Sequence, residues 1–187
     1  DTGLFVSELC FGAMSFGGTG MWKNVGQTQQ EEANELVSKA LDGGINFFDT
    51  ANVYSTGISE EILGKALGSR RKDIVLATKV RGRMGEGVND IGLSRTHIRQ
   101  QVEESLKRLN TDYIDLYQIH GVDIYTSFED TLRTLDDLVS EGKVRYIGAS
   151  NLQAWQLMKT IGISEKNGWE KFKSLQAYYN IAARDLE

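Results

Sequence analysis

Four residues able to hold or move a proton stand at the ends of apolar runs in this chain: Asp49, Tyr54, Lys79 and His120. Asp49 closes the run Ile45-Asn46-Phe47-Phe48, and Tyr54 follows in the stretch Thr50-Ala51-Asn52-Val53-Tyr54-Ser55. Lys79 lies near the end of the run from Ile74 to Val80, and His120 ends the run from Tyr113. Tyrosine is a poor acid at its reference pKa of about 10. An ammonium beside it favours the phenolate, and a carboxylate beside the ammonium keeps that cation charged and in place. A histidine can donate a hydrogen bond or relay a proton. Together the set suits delivery of a proton to a carbonyl oxygen by a general acid. Any one of these strand ends has a plainer account, since strand ends meet solvent. The chemical reading rests on all four together.

Such a set works only if the strands present it on one face. Alternate side chains of a strand share a face. Val75, Ala77 and Lys79 therefore form one row, and Ile114, Leu116, Gln118 and His120 another. Val144 to Ser150 is a further run, and strands are also expected over 7–14, ending at Gly12, and over 173–179. Between these runs the apolar periodicity turns helical. Thr28-Gln29-Gln30-Glu31 has capping-box spacing ahead of a stripe at Ala33, Leu36, Val37, Ala40 and Leu41. Ser59 is placed to cap a second helix and Ser94 or Thr96 a third; a fourth begins at Ser127-Phe128-Glu129-Asp130, and Asn151 caps a fifth carrying Trp155, Met158 and Ile161.

Alternating strands and helices predict an α/β fold with a parallel sheet and helices outside it. The strand spacing of about thirty residues fits repeated βαβ units. A closed (β/α)8 TIM barrel takes about 250 residues and carries its chemistry at the C-terminal strand ends. These 187 residues supply about six βα units. The expectation is a single barrel domain over 1–187, incomplete at both ends. It opens abruptly at Asp1-Thr2-Gly3 and stops inside a helix start at Arg184-Asp185-Leu186-Glu187.

The formal net charge of −5 argues against a nucleic-acid partner, which would favour a basic patch. No apolar run approaches the roughly 18 residues of a membrane span, and no leader pattern opens the chain. A cytoplasmic location is the default that follows. Cys10 is the single cysteine, inside an apolar run, so the expectation is a buried inert thiol with neither a disulfide nor a metal site. His97 is expected to face solvent at a helix start, and Lys72, Arg81 and Arg83 to be solvated charges. The glycine-rich loop from Gly82 to Gly87 lacks the spacing of a phosphate-binding loop.

Read in order, these signals resemble the aldo-keto reductases. The resemblance is carried by Gly12-Ala13-Met14, Gly44-Ile45-Asn46-Phe47-Phe48-Asp49-Thr50-Ala51 with Tyr54, and Ala77-Thr78-Lys79. It continues through Asp112-Tyr113-Ile114-Asp115-Leu116 with Gln118-Ile119-His120, then Gly142-Lys143-Val144-Arg145, Ile147-Gly148, Ser150-Asn151, and Gln176. It covers nearly the whole chain. It implies an NAD(P)H-dependent oxidoreductase that reduces an aldehyde or ketone, a small-molecule carbonyl substrate. The family's catalytic tetrad would be Asp49, Tyr54, Lys79 and His120. Tyr54 would be the general acid, with Lys79, held by Asp49, favouring its phenolate, and with His120 orienting the carbonyl. Ser150, Asn151 and Gln176 would hold the nicotinamide amide, a group that needs both donors and acceptors. Gly12, Ala13, Met14 and Asp49 would line the cofactor, and Met14 and Trp22 would wall the substrate pocket beside Tyr54 and His120. The resemblance favours NADP(H) over NAD(H). In the family, strands seven and eight bring the aromatic that stacks on the nicotinamide and the basic residues for the 2′-phosphate. A second reading is a regulatory, non-enzymatic cofactor-binding subunit resembling the β subunits of potassium channels, which keep the tetrad.

Overall fold

The computed structural model describes residues 2–184, so the expected helix start at Arg184-Asp185-Leu186-Glu187 lies, but for Arg184, outside them. The alternation of the two periodicities is realised in chain order. Strand β1 is Phe11–Gly12, helix α1 Gln30–Asp42, β2 Phe47–Asp49 and α2 Ile58–Leu67. Then come β3 Val75–Val80, α3 Arg95–Leu109, β4 Ile114–Ile119 and α4 Phe128–Ser140. The described part closes with β5 Val144–Ser150, α5 Ala154–Asn167 and β6 Leu175–Gln176. Each strand pairs in parallel with the next, giving the sheet order β1-β2-β3-β4-β5-β6. A strictly sequential parallel order, with a helix crossing over after β1 to β5, is the arrangement of a (β/α)8 barrel wall. Among the described residues no helix is long and apolar enough to cross a membrane.

Two apolar layers hold the helices to the wall. Phe48 and Leu76 meet Val37, Leu63 and Leu67 under α1 and α2. Tyr117, Ile119 and Ile147 meet Ile98, Val102, Leu132 and Leu135 under α3 and α4. Each such side chain contributes on the order of 1.5–3 kcal/mol when fully buried. Alternation sends Asp115, Tyr117 and Ile119 of β4 outward and leaves Leu116 and Gln118 facing the inside. Charged residues in the packed layer are paired. Glu60 is fully buried on α2; it accepts a hydrogen bond from Thr78 Oγ1 (2.6 Å) and another from Arg108 Nε (2.6 Å). Arg71 meets Asp115 at 2.7 Å, and the same carboxylate accepts from the Leu76 N–H.

Several helix starts differ from the sequence expectation, each because a tertiary partner has taken the side chain. The capping box before α1 does not form; Gln29 occupies the cap position and its amide donates instead to Gly17 O (2.6 Å). Ser59 does not cap α2, which begins after Gly57; its hydroxyl donates to Ala13 O (2.7 Å) and meets Thr50 Oγ1 (2.9 Å). Helix α5 is capped by Gln153, with Gln156 accepting from its N–H, rather than by Asn151. Its inward face is Leu157, Thr160, Ile163 and Ser164, so Trp155 and Met158 stand 60% and 64% exposed. Of the two candidates for α3, Ser94 is the cap, and Ser127 caps α4, which begins where expected.

Breaking one partner of a buried ion pair leaves an uncompensated charge, at a cost of about 3–5 kcal/mol. Arg108→Met in the full-length protein is therefore expected to lower the urea unfolding free energy by about 3 kcal/mol. Adding Glu60→Gln to that variant should restore part of the loss.

Candidate active site

The site begins at the C-terminal end of β2. Asp49 pairs in register with Gly12 of β1 and Ala77 of β3, and Lys79 of β3 pairs with Gln118 of β4. The inward row on each strand thus delivers its last polar residue to one place. Lys79 Nζ donates to Asp49 Oδ2 (2.5 Å), to Thr50 O (3.0 Å) and to Tyr54 Oη (3.4 Å). An ammonium has three donors and no acceptor, so all three are used. That matters because Lys79 is only 1% exposed, and a buried charge without partners is prohibitively costly. The other Asp49 oxygen accepts from Gln118 Nε2 (3.2 Å).

Tyr54 reaches the lysine from a strained turn. Ser55 and Thr56, directly after it, are non-glycine residues with left-handed φ of 48° and 55°. Each such residue costs on the order of 1–2 kcal/mol. The turn is held by its contacts with the loop after β1. Ser55 Oγ donates to Phe16 O (3.0 Å) and accepts from the Gly18 N–H (2.9 Å), and Thr19 Oγ1 donates to Ser55 O (3.1 Å). A Cβ at Gly17 would sit 2.8 Å from that of Ser55, so glycine is required there. The same loop carries Trp22, whose ring meets Tyr54 edge-on at 5.3 Å, while His120 meets the phenol edge-on at 5.6 Å. The phenol oxygen accepts from Lys79, and its own O–H has no acceptor among the described residues.

His120 is held neutral. Burial first, then the Lys79 and Arg81 charges, push its imidazole down to about 4. It can offer one N–H and one lone pair, but no positive charge at neutral pH. Beyond it, Ser150 pairs with Gln176 across β5 and β6. Asn151, at φ 57°, donates from its backbone to Gln176 O (3.1 Å) and from its amide to Ser150 Oγ (3.1 Å). Asn151 also reaches His120 O (3.4 Å), so the ends of β4, β5 and β6 are tied together. On the other side of Asp49, the Ala13 N–H donates to Asp49 O (2.8 Å), a Cβ at Gly12 would meet nothing within 4 Å, and Met14 is exposed. Asp49, Tyr54, Lys79 and His120 are thus brought into one cluster, with Trp22 on it. Gly12, Ala13 and Met14 flank it on one side, and Ser150, Asn151 and Gln176 gather on the other.

Two expectations are corrected. Cys10 is exposed rather than buried; crowding by protein, then the Asp49 charge, push its thiol up to about 12, so it stays protonated. His97 is 1% exposed rather than solvent-facing, with neither ring nitrogen in a hydrogen bond of good geometry, and burial lowers its pKa. The loop after β3 folds over it. Sequence reasoning also passes over two positioning residues. Gln118 is visible as a polar residue in the inward row below His120, but nothing marks it as a partner of Asp49. Ser55 carries no local signal, because its partners come from another loop. Among the described residues no group of His, Cys, Asp and Glu could hold a metal ion.

With this geometry in hand, comparison with known proteins gives a consistent answer. A sequence model of the aldo/keto reductase family matches residues 8–187. Versiconal hemiacetal acetate reductase of Aspergillus parasiticus is 41% identical over 207 residues, which cover 100% of this chain and 60% of that protein. Aldo-keto reductase AMT2 of Alternaria alternata is 39% identical over 213 residues, covering 100% and 58%. Among solved structures, aldo-keto reductase AKR11C1 from Bacillus halodurans, in its holo form, matches with a TM-score of 0.75 and 37% identity. That match covers 94% of this chain and 54% of the other. The chain belongs to the aldo/keto reductase family, and its curled parallel sheet is part of that family's (β/α)8 barrel. It spans about 60% of the length of the curated relatives it matches.

His97 and His120 both have folded pKa values below 6.5. The unfolded chain therefore binds more protons than the folded one as pH falls below that value, and stability falls with it. The contribution of both groups is complete above about pH 6.5 and declines below it, that of His120 being lost as pH falls through about 4. The urea midpoint should be lower at about pH 5 than at about pH 7. In His97→Leu the decline should be shallower, since one of the two groups is gone.

Proposed function

We propose that this chain carries the catalytic wall of an NAD(P)H-dependent oxidoreductase that reduces an aldehyde or ketone to an alcohol. The observation that carries the reading is the hydroxyl of Tyr54. It accepts from a buried ammonium, leaving its own proton unclaimed at the C-terminal face. That is the arrangement a general acid needs. Relatives named as reductases support the same reaction class.

The residues present fit a nicotinamide. Ser150, Asn151 and Gln176 offer the mixed donors and acceptors that a carboxamide requires, and the open backbone at Gly12 leaves room for a flat ring near Asp49. When bound, a reduced nicotinamide supplies a hydride to the carbonyl carbon and is left oxidised. The carbonyl oxygen takes the proton of Tyr54. Lys79 stabilises the phenolate so formed, and Asp49 keeps the ammonium in place with no net charge added to the pair. Neutral His120 donates a hydrogen bond to the carbonyl oxygen, which orients the substrate and draws off developing charge. Trp22 and Met14 wall the substrate. NADP(H) rather than NAD(H) is the cofactor that the family likeness favours, with a small-molecule carbonyl as partner.

Tyr54→Phe in the full-length protein should lose about a hundredfold or more in carbonyl reduction, the scale of general acid catalysis. Cofactor affinity should change little. Reduction at the wild-type rate by this variant would remove Tyr54 from the role. Cofactor binding by the wild type, without turnover of any carbonyl in a broad panel, would instead favour a regulatory subunit. For the amide site, Gln176→Ala should weaken cofactor binding by about 1–3 kcal/mol, the cost of a polar group left unpaired. Isothermal titration measures it, and unchanged affinity in a folded variant counts against the assignment.

A further inference from the structure

Arg81 follows the end of β3 and is exposed, as the sequence suggests. Its backbone is unusual: φ is 152°, a conformation that a residue with a side chain rarely adopts. Strain of this kind persists only where the surroundings impose it, and it clusters at functional sites. Here the surroundings do impose it. Arg81 O accepts from the Gly92 N–H (2.9 Å), and the neighbouring Val80 O accepts from the His120 N–H (2.9 Å). The side chain is tethered as well, since Nε donates to Val122 O (2.8 Å). That bond uses one edge of the guanidinium and leaves the two Nη groups without a hydrogen bond or salt bridge among the described residues.

The tethered group borders a cavity of about 520 Å³ between the loops after β3 and β4. Its walls include the apolar side chains Val88, Ile91, Ile124 and Tyr125. Asp123 also lines it, but its carboxylate already accepts from the Leu93 N–H (2.7 Å), the Tyr125 N–H (2.9 Å) and Thr126 Oγ1 (2.7 Å). It fastens the two loops together, and its charge bears on Arg81, so an incoming anion would share the guanidinium with it. Arg81 is near enough to His120 for its charge to bear on that imidazole. A cation with free donors and a cavity of mixed apolar and polar lining therefore lie beside the strand end that carries His120.

We propose that Arg81 is a specificity residue that selects carbonyl substrates bearing a carboxylate, the apolar body of the substrate lying in the cavity between the two loops. The proposal rests on the carbonyl-reductase reading and adds the class of substrate to it. A guanidinium fork matches a carboxylate in shape as well as charge, which a lysine does not.

The test compares 4-formylbenzoate with its methyl ester, which lacks the negative charge and adds one methyl group, using the full-length protein and saturating NADPH. The wild type should favour the acid in kcat/KM, and added salt should erode that preference by screening the charges. Arg81→Met should lower kcat/KM for the acid by about tenfold or more, the scale of a hydrogen bond to a charged group. The loss should lie mainly in KM, and the ester should lose far less. Arg81→Lys should recover part of it. If both substrates are reduced and Arg81→Met affects them equally, Arg81 does not select charge, while the reductase reading stands. If neither substrate, nor any other carbonyl in a broad panel, is reduced, the reductase reading falls and takes this proposal with it.

Discussion

A buried ammonium is the constraint on which the site depends. Lys79 is almost wholly removed from water, and its hydration can be replaced only by acceptors at fixed positions. Asp49, Thr50 O and Tyr54 Oη supply them. Those acceptors lie on β2 and on the turn after it, so the lysine is satisfied only if β2 and β3 pair in the observed register. A slip of one residue would send Lys79 to the helix side of the sheet, where Leu76 and Phe48 pack. Gln118 extends the same requirement to β4, because it occupies the Asp49 oxygen that the lysine leaves free. Register, burial and the position of the phenol are therefore a single problem with one solution.

The turn that carries Tyr54 shows how that solution is maintained. Two successive left-handed residues cannot be the preference of the local sequence. They are held by hydrogen bonds from Ser55 to Phe16 and Gly18, in a loop that begins at the far end of β1. Position therefore comes from tertiary contacts, and the loop that provides them also brings Trp22 against the phenol. Positioning the phenol and building a wall beside it are one structural act. Ser59 extends the same link. Its hydroxyl joins Ala13 O to Thr50, so the start of α2 is fixed to the ends of β1 and β2.

Most of the wall was legible in the sequence, because strand and helix periods are written in the chain itself. Val144–Ser150 is a strand with the expected ends, and the inward rows through Lys79 and Gln118 follow from alternation alone. The cluster of Asp49, Tyr54, Lys79 and His120 could be anticipated because each lies at the end of such a row or just beyond it. The misreadings share another cause. A side chain's local role is inferred, and a distant partner overrides it. Ser59 and Asn151 have the chemistry of helix caps, yet they bond across strands. His97 lies in the first turn of a helix, normally a wet place, but the loop from Arg81 to Gly92 covers it. On α5 the sequence stripe points to the wrong face: Trp155 and Met158 are the larger residues, but the helix buries Thr160 and Ser164. Size alone does not choose a face; the crossing of the helix over its neighbours does.

The two ends of the same strands solve opposite problems. At the N-terminal end, Arg71 gives its donors to Asp115, Tyr113 O, Ile74 O and Thr111 Oγ1. That arrangement is closed, with the charge spent on holding β3 and β4 in place. At the C-terminal end, Lys79 is equally well satisfied, but the network stops at a hydroxyl that still has a proton to give. Arg81 stops short in the same way, tied at Nε and open at its outer nitrogens. Unfinished hydrogen bonding would be a defect in a core, where an unmet polar group costs about 1–3 kcal/mol. At the mouth of a barrel it is what distinguishes a site from a scaffold. Hydrogen bonding is complete at the end that ties the strands together and is left open, at Tyr54 and Arg81, at the other.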